Sequence, residues 1–264
     1  MINVCKNIRD IESRPYGRLA LDEHFLRSPN PDVYFLFVEK VGCTFIKHVL
    51  IEASLGSLDQ IDPSYFHTGW SLHNLVHAVA HEVLRVDGRL VLDNPDAKVI
   101  TFCRNPYSRF VSAYKDKIDN TPDMEATYFK WIRREIFFYK ARFNLSQQIV
   151  GKLGSRISLR DFATFVRRNP DIEHDRHWAP QHRLMLDGFL DHAHVLRLEH
   201  LDQTLPTIWQ DLVGTEMPRP TKHATNPGSK TYPMLDQETA DIIYEIYQTD
   251  FEVLGYDRES WVNF

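Results

Sequence analysis

Val33-Tyr34-Phe35-Leu36-Phe37-Val38 runs directly into Glu39-Lys40-Val41-Gly42-Cys43-Thr44-Phe45-Ile46-Lys47. The uncharged apolar run reads as a buried β-strand, Gly42 as the small residue of a tight turn, and the residues after it as a helix over about 44–54. The first turn of that helix carries the Thr44 hydroxyl, with Lys40 and Lys47 close by in sequence. A helix start presents unpaired backbone N–H groups and the positive end of the helix dipole, and nearby ammonium groups add charge. This is a geometry for gripping a phosphate-like anion, with Thr44 able to donate a hydrogen bond and Lys40 and Lys47 to supply charge. A Walker A loop reads G-x-x-x-x-G-K-[ST]. Gly42 is the only glycine of this turn, so the loop is phosphate-loop-like without being that of a nucleoside triphosphatase.

Further along, Lys98-Val99-Ile100-Thr101-Phe102-Cys103 reads as a second buried strand. It ends at Arg104-Asn105-Pro106, where Pro106 suits the first turn of a helix reaching about Ile118. Open α/β sheets bind ligands at the carboxyl ends of their strands, which is where Arg104 stands. An arginine fork with the Ser112 hydroxyl makes a clamp for a phosphate monoester. A third strand is expected over 193–198, and further helices over 71–85, 125–142, 159–168, 202–212 and 236–250. A short helix near Leu19–Leu26 is expected inside an otherwise irregular lead-in over 1–31, and turns at Val86–Arg89. Strands alternating with helices imply an α/β fold with a mostly parallel central sheet flanked by helices, here in a three-layer, P-loop-like form with helical insertions. No internal repeat or linker divides the 264 residues, so a single domain over 1–264 is expected, with 120–175 as a helical insertion contributing to an acceptor site.

Bulk properties narrow the function. Hydrophobic content of 43% and charged content of 25% are those of an ordinary globular protein. The net charge of −5 argues against nucleic acid as the partner. Cys5, Cys43 and Cys103 lie far apart without metal-ligand spacing, which suggests reduced thiols. Neither a signal peptide nor an apolar run of membrane-spanning length is seen, so a cytoplasmic setting is expected.

Taken together, EKVGCTFIK and CRNPYSRFVSAYKDK resemble the two donor-binding signatures of the carbohydrate sulfotransferases, nearest to the chondroitin and dermatan 4-O-sulfotransferase type. His177-Trp178-Ala179-Pro180-Gln181 and the closing stretch IYEIYQTDFEVLGY over 243–256 resemble further motifs of that family in the same order. The resemblance implies 3′-phosphoadenosine 5′-phosphosulfate (PAPS) as donor, PAP as product, and a hydroxyl of a carbohydrate or glycoconjugate as acceptor. It places Lys40, Gly42, Cys43, Thr44 and Lys47, with Val41 and Phe45 of the same segment, at the phosphosulfate, Arg104 and Ser112 at the 3′-phosphate, and Lys230 in a loop closing over the donor. Lys40 is the candidate for stabilising the leaving phosphate, Lys47 ranking behind it, and His67 is the candidate base. No metal is required by this chemistry, because the sulfuryl group carries less charge than a terminal phosphoryl group.

There are departures from the family pattern. Glu39 stands where a proline is usual, which loosens the entrance to the loop and adds a negative charge. Asn105 stands where an acid is usual, which removes an ion-pair partner. The family's Cys-x-x-Cys is replaced by Leu184-Met185-Leu186-Asp187.

Other groups read more plainly. His73, His77 and His81 recur every four residues, and lacking a further ligand they read as a polar helix face rather than zinc ligands. His177 and Trp178 are active-site wall by resemblance, with a structural role as the other reading. Arg133, Arg134, Arg156, Arg160, Arg167 and Arg168 read as solvated, and Trp131, Phe137, Phe138 and Tyr139 as helix-packing core. Two functional alternatives remain open: a P-loop-like small-molecule kinase, which would need Mg-ATP, and a non-catalytic nucleotide-binding protein of the same fold.

Overall fold

The computed structural model describes residues 8–57, 72–119, 127–143, 157–169, 175–191, 193–219 and 235–263. The chain forms two compact units, one from residues 1–104 and 181–231, the other from 105–180 and 232–264.

The first unit holds the sheet. In chain order it contains α1 (Ile8–Glu12), α2 (Gly17–Glu23), β1 (Phe25–Arg27), β2 (Val33–Leu36), α3 (Cys43–Leu55), α4 (Leu72–Val79), α5 (Gly88–Asp93) and β3 (Lys98–Cys103). The strands described lie in the order β1-β2-β3-β4, where β4 is His194–Arg197, preceded by the short α9 (Gln181–Leu184) and followed by α10 (Leu201–Val213). β2, β3 and β4 run parallel, with Tyr34 opposite Val99 and Thr101 opposite Val195. β1 pairs antiparallel with β2. The parallel core explains why β2 and β3 are apolar without alternation: Phe35, Leu36, Ile100 and Phe102 are buried. Phe35 stacks on Phe102 at 6.0 Å and meets Trp209 of α10 at 5.8 Å. The expected α/β class with a mostly parallel sheet is therefore observed.

The lead-in differs from its expectation. Residues 8–27 carry two helices and the edge strand β1 rather than irregular chain with one helix to Leu26. Phe25 and Leu26 are buried as strand residues beside β2. Arg89 of α5 fastens this segment, bonding Glu12 at 2.6 Å and Asp22 at 2.7 Å. The expected turn over Val86–Arg89 is the start of α5 instead, with the Asp87 carboxylate accepting from the Arg89 N–H. Gly88 is needed there, because a Cβ would come within 2.7 Å of the Phe25 ring.

The second unit contains α6 (Pro106–Ala113), α7 (Thr127–Phe143), α8 (Leu159–Arg168) and α11 (Gln237–Leu254). α8 opens with a full capping box between Ser158 and Asp161. Phe110 of α6 stacks on Phe162 of α8 at 4.8 Å, and Trp178 meets Phe162 edge-on at 5.3 Å. Phe129, Ile132 and Ile136 give α7 its buried face. Trp131 and Phe138 are on its exposed side, at 40% and 56% exposure, which corrects their reading as packing core. Arg160 and Arg167 pair with Asp236 and Glu245. Among the described residues, no helix is long and apolar enough to cross a membrane.

Candidate anion-binding site

In the turn between β2 and α3 the backbone alternates in hand: Lys40 has φ 66° and Gly42 φ 87°, while Val41 between them stays at negative φ. Such alternation turns successive N–H groups toward a common side and makes an anion-binding concavity. Gly42 caps α3 without any side-chain hydrogen bond, so the first-turn N–H groups lack a side-chain partner at the cap. Its glycine is demanded by the left-handed φ, and a Cβ there would also displace Leu198 Cδ1, 2.8 Å away at the end of a side chain just past β4. Val41 and Thr44 are buried, Lys40, Cys43 and Phe45 half-buried. Cys43 and Cys103 are free thiols.

Lys47 is not a solvated lysine. It is 6% exposed, its ammonium lies 3.8 Å from the centroid of the Phe37 ring, and Nζ is 3.2 Å from His77 Nδ1. Thr44 Oγ1 in turn lies 3.0 Å from His77 Nε2 and 3.1 Å from His73 Nδ1. The histidine row therefore has a purpose that its spacing alone does not disclose: two of its members face α3. His81 lies instead beside Glu82 in the wide π-type turn Ala80–Leu84. Among the described residues, no cluster of three or more His, Cys, Asp or Glu is placed to hold a metal ion.

Arg104 follows β3 and is held at both its main chain and its side chain. Gln181, fully buried, accepts from the Arg104 N–H at 2.9 Å and donates to the Arg104 carbonyl at 2.8 Å. The guanidinium Nη1 donates to the Lys40 carbonyl at 3.1 Å. Arg104 is thereby brought to the β2–α3 turn, and Gln181 is a positioning residue that the sequence marks only as the last member of a motif.

Glu39, at the entrance to the loop, lies beside a histidine. It is buried, and its Oε1 lies 3.3 Å from Nε2 of the wholly buried His24, an ion pair whenever that imidazole is protonated. Asn105 has a positive role: its side chain accepts from the Tyr107 N–H and caps α6, with Pro106 at the first helical position. In the same unit Ser112 is half-buried on α6, and its hydroxyl makes no hydrogen bond among the described residues. Trp178 is 2% exposed and its carbonyl accepts from Tyr247 Oη at 2.5 Å, so it serves the core. His177 Nδ1 pairs with Asp175 Oδ1. His67 and Lys230 lie outside the described residues.

Comparison with known proteins agrees in direction. Residues 23–257 match the Sulfotransferase family. Carbohydrate sulfotransferase 12 of Mus musculus is 22% identical over 255 residues, covering 89% of this chain and 60% of its own length. The chain thus spans about 60% of that relative. No solved structure matches.

Proposed function

The chain belongs to the sulfotransferase family, and from that premise we propose that it moves the sulfuryl group of PAPS to a hydroxyl of a carbohydrate or glycoconjugate, releasing PAP. The carbohydrate class of acceptor rests on the likeness to the murine carbohydrate sulfotransferase. The proposal takes the fold as three-layer and P-loop-like, for which the β2–turn–α3 unit on parallel strands is the support. The family match takes in residues of both compact units, which supports reading them as parts of one catalytic domain. The free thiols fit a reducing setting, here proposed as cytoplasmic.

The observation that carries the reading is the hydrogen bond from Arg104 to the Lys40 carbonyl. It joins the two segments whose residues suit a nucleotide with phosphates at both its 5′ and 3′ positions. Bound there, PAPS supplies an activated sulfuryl group with a phosphate as leaving group. The N–H groups of the 40–44 turn, Thr44 and Lys47 hold the 5′ side, and Lys40 meets the negative charge that grows on the leaving oxygen. Arg104 and Ser112 hold the 3′-phosphate. His67 removes the acceptor hydroxyl's proton, and Lys230 belongs to a loop over the donor; both roles rest on the family resemblance.

A thermal-shift comparison of PAP with ADP tests the reading. PAP should stabilise the protein well beyond ADP, and Arg104→Ala should lose the difference, since charge-assisted bonds of this kind contribute about 1.5–3 kcal/mol. Equal responses to PAP and ADP would remove the 3′-phosphate clamp. Turnover in EDTA with PAPS separates this reading from a kinase, and transfer to any acceptor separates it from a non-catalytic binder. Near-normal turnover by His67→Ala would remove it as the base.

A further inference from the structure

The contacts between α3 and α4 fix the protons of a chain of hydrogen bonds. An ammonium has only N–H donors. Lys47 Nζ lies 3.2 Å from His77 Nδ1, so that ring nitrogen accepts. A neutral imidazole with an accepting Nδ1 carries its proton on Nε2, and His77 Nε2 lies 3.0 Å from Thr44 Oγ1, so it donates to the hydroxyl. Thr44 is 7% exposed, and its own proton then points to His73 Nδ1 at 3.1 Å. The order of donation is Lys47 to His77 to Thr44 to His73. All four residues belong to the sheet-bearing unit.

We propose that His77, in its Nε2–H form, is a positioning residue of the anion site. One imidazole fixes both the cation and the hydroxyl on the first turns of α3, holding Lys47 by its Nδ1 lone pair and leaving Thr44 with its O–H free to turn from His73 to an arriving anionic oxygen. The donor half of this inference rests on the sulfotransferase reading. The geometry has a direct use in that reading: a phosphate oxygen is a stronger acceptor than a neutral ring nitrogen, so the exchange of partner at Thr44 favours binding. Lys47 meanwhile needs no reorientation, because its stem is buried and its head is held over the Phe37 ring.

Two measurements judge this. In 15N-histidine-labelled protein without any ligand, NMR should report His77 and His73 both with protonated Nε2 and an unprotonated, hydrogen-bonded Nδ1. A Nδ1–H form of His77 overturns the proposal whatever the protein does with PAP. The second measurement uses two substitutions that divide the imidazole. His77→Asn keeps an acceptor near the Nδ1 position for Lys47 and loses the donor to Thr44. His77→Gln keeps a donor near the Nε2 position and loses the acceptor.

Each should weaken PAP about threefold to tenfold, and His77→Ala by about the product of the two, from the net value of single hydrogen bonds. A melt of each variant monitored by circular dichroism confirms folding. Wild-type-like PAP binding by both Asn and Gln variants, in a protein where Arg104→Ala loses PAP, overturns the role of His77 alone. Absence of PAP binding by the wild type overturns the sulfotransferase reading and the donor half with it. The NMR result then still decides whether the relay of hydrogen bonds exists.

Discussion

The helices that follow the two central strands begin in opposite ways. α3 starts at Gly42, a residue with no side chain, in a left-handed conformation and with no side-chain cap. α6 starts at Asn105, whose side chain accepts from the Tyr107 N–H, and its first residue is Pro106, which has no N–H to satisfy. The first start has no capping side chain, and the second has one. A helix beginning can serve an anion only through N–H groups that the protein has not already used. On the proposed reading this is a division of labour: the β2–α3 turn offers backbone N–H groups and a helix dipole to an anion, whereas after β3 the offer comes from the Arg104 side chain.

The largest expected effect is at the uncapped start. Gly42→Ala forces a Cβ into a left-handed residue, at about 1–2 kcal/mol, and drives it to 2.8 Å from Leu198 Cδ1. Urea unfolding should show a loss of at least that size, and the PAP-induced thermal shift should vanish. A variant that folds and keeps the wild-type PAP response would show that the turn's backbone conformation does not matter to the ligand, and the contrast would break.

A smaller effect is expected at the capped start. Asn105→Ala removes the cap on α6 and should cost about 1 kcal/mol in denaturant unfolding. The preference for PAP over ADP should persist, since the bonds that hold Arg104 to Gln181 and to the Lys40 carbonyl are untouched. Loss of PAP binding as complete as in Arg104→Ala would mean that α6 too serves the ligand with its N–H groups. Asn105→Asp restores an acid where the family resemblance has one and keeps a cap of similar strength, so stability should stay within about 0.5 kcal/mol of wild type.

These two beginnings also mark how far the sequence could be read. β3 was legible to its ends, because a run buried on both faces leaves no ambiguity of period and Arg104-Asn105-Pro106 punctuates it. β1 was not, because three residues beside a helix carry too little pattern, and only their pairing with β2 makes them a strand. Asp87-Gly88 has the composition of a turn, yet the same Asp caps a helix and the same Gly admits the Phe25 ring. At the site, Thr44, Gly42 and Arg104 announced themselves by position after strands. His73 and His77 did not, since a row at helical spacing looks alike whether it faces water or another helix. The signal lay instead in Lys47: a lysine in an apolar helix stretch needs polar company, and a histidine face on the next helix is where it finds it. Glu39 and His24 were invisible for a similar reason, their pairing depending on the tertiary approach of residues far apart in the chain.

The smallest expected effect concerns α11, whose capping side chain is charged, and it tests whether charge adds to capping. Asp236 accepts from the Thr239 N–H at 2.8 Å and from Arg160 at 2.6 Å. Hydrogen bonding by Thr239, then by Arg160, holds its carboxyl below the ordinary 3.8 against the opposing effect of burial. A carboxyl depressed in the folded state contributes stability that is fully present above its unfolded value and is lost as pH falls through the folded value. Asp236→Asn keeps a capping oxygen but no charge, and the Arg160 pair is half-exposed, so the cost at pH 7 should be under about 0.5 kcal/mol. That cost should shrink to nothing as unfolding is followed downward from about pH 5 through the region below the ordinary carboxyl value. A difference that persists at acid pH would mean that the asparagine caps poorly for reasons of shape. One that exceeds about 1 kcal/mol at neutral pH would mean that charge at a helix beginning is worth more in this protein than capping is. The uncapped start of α3, with no carboxylate in its first turn, would then be the more costly one to keep.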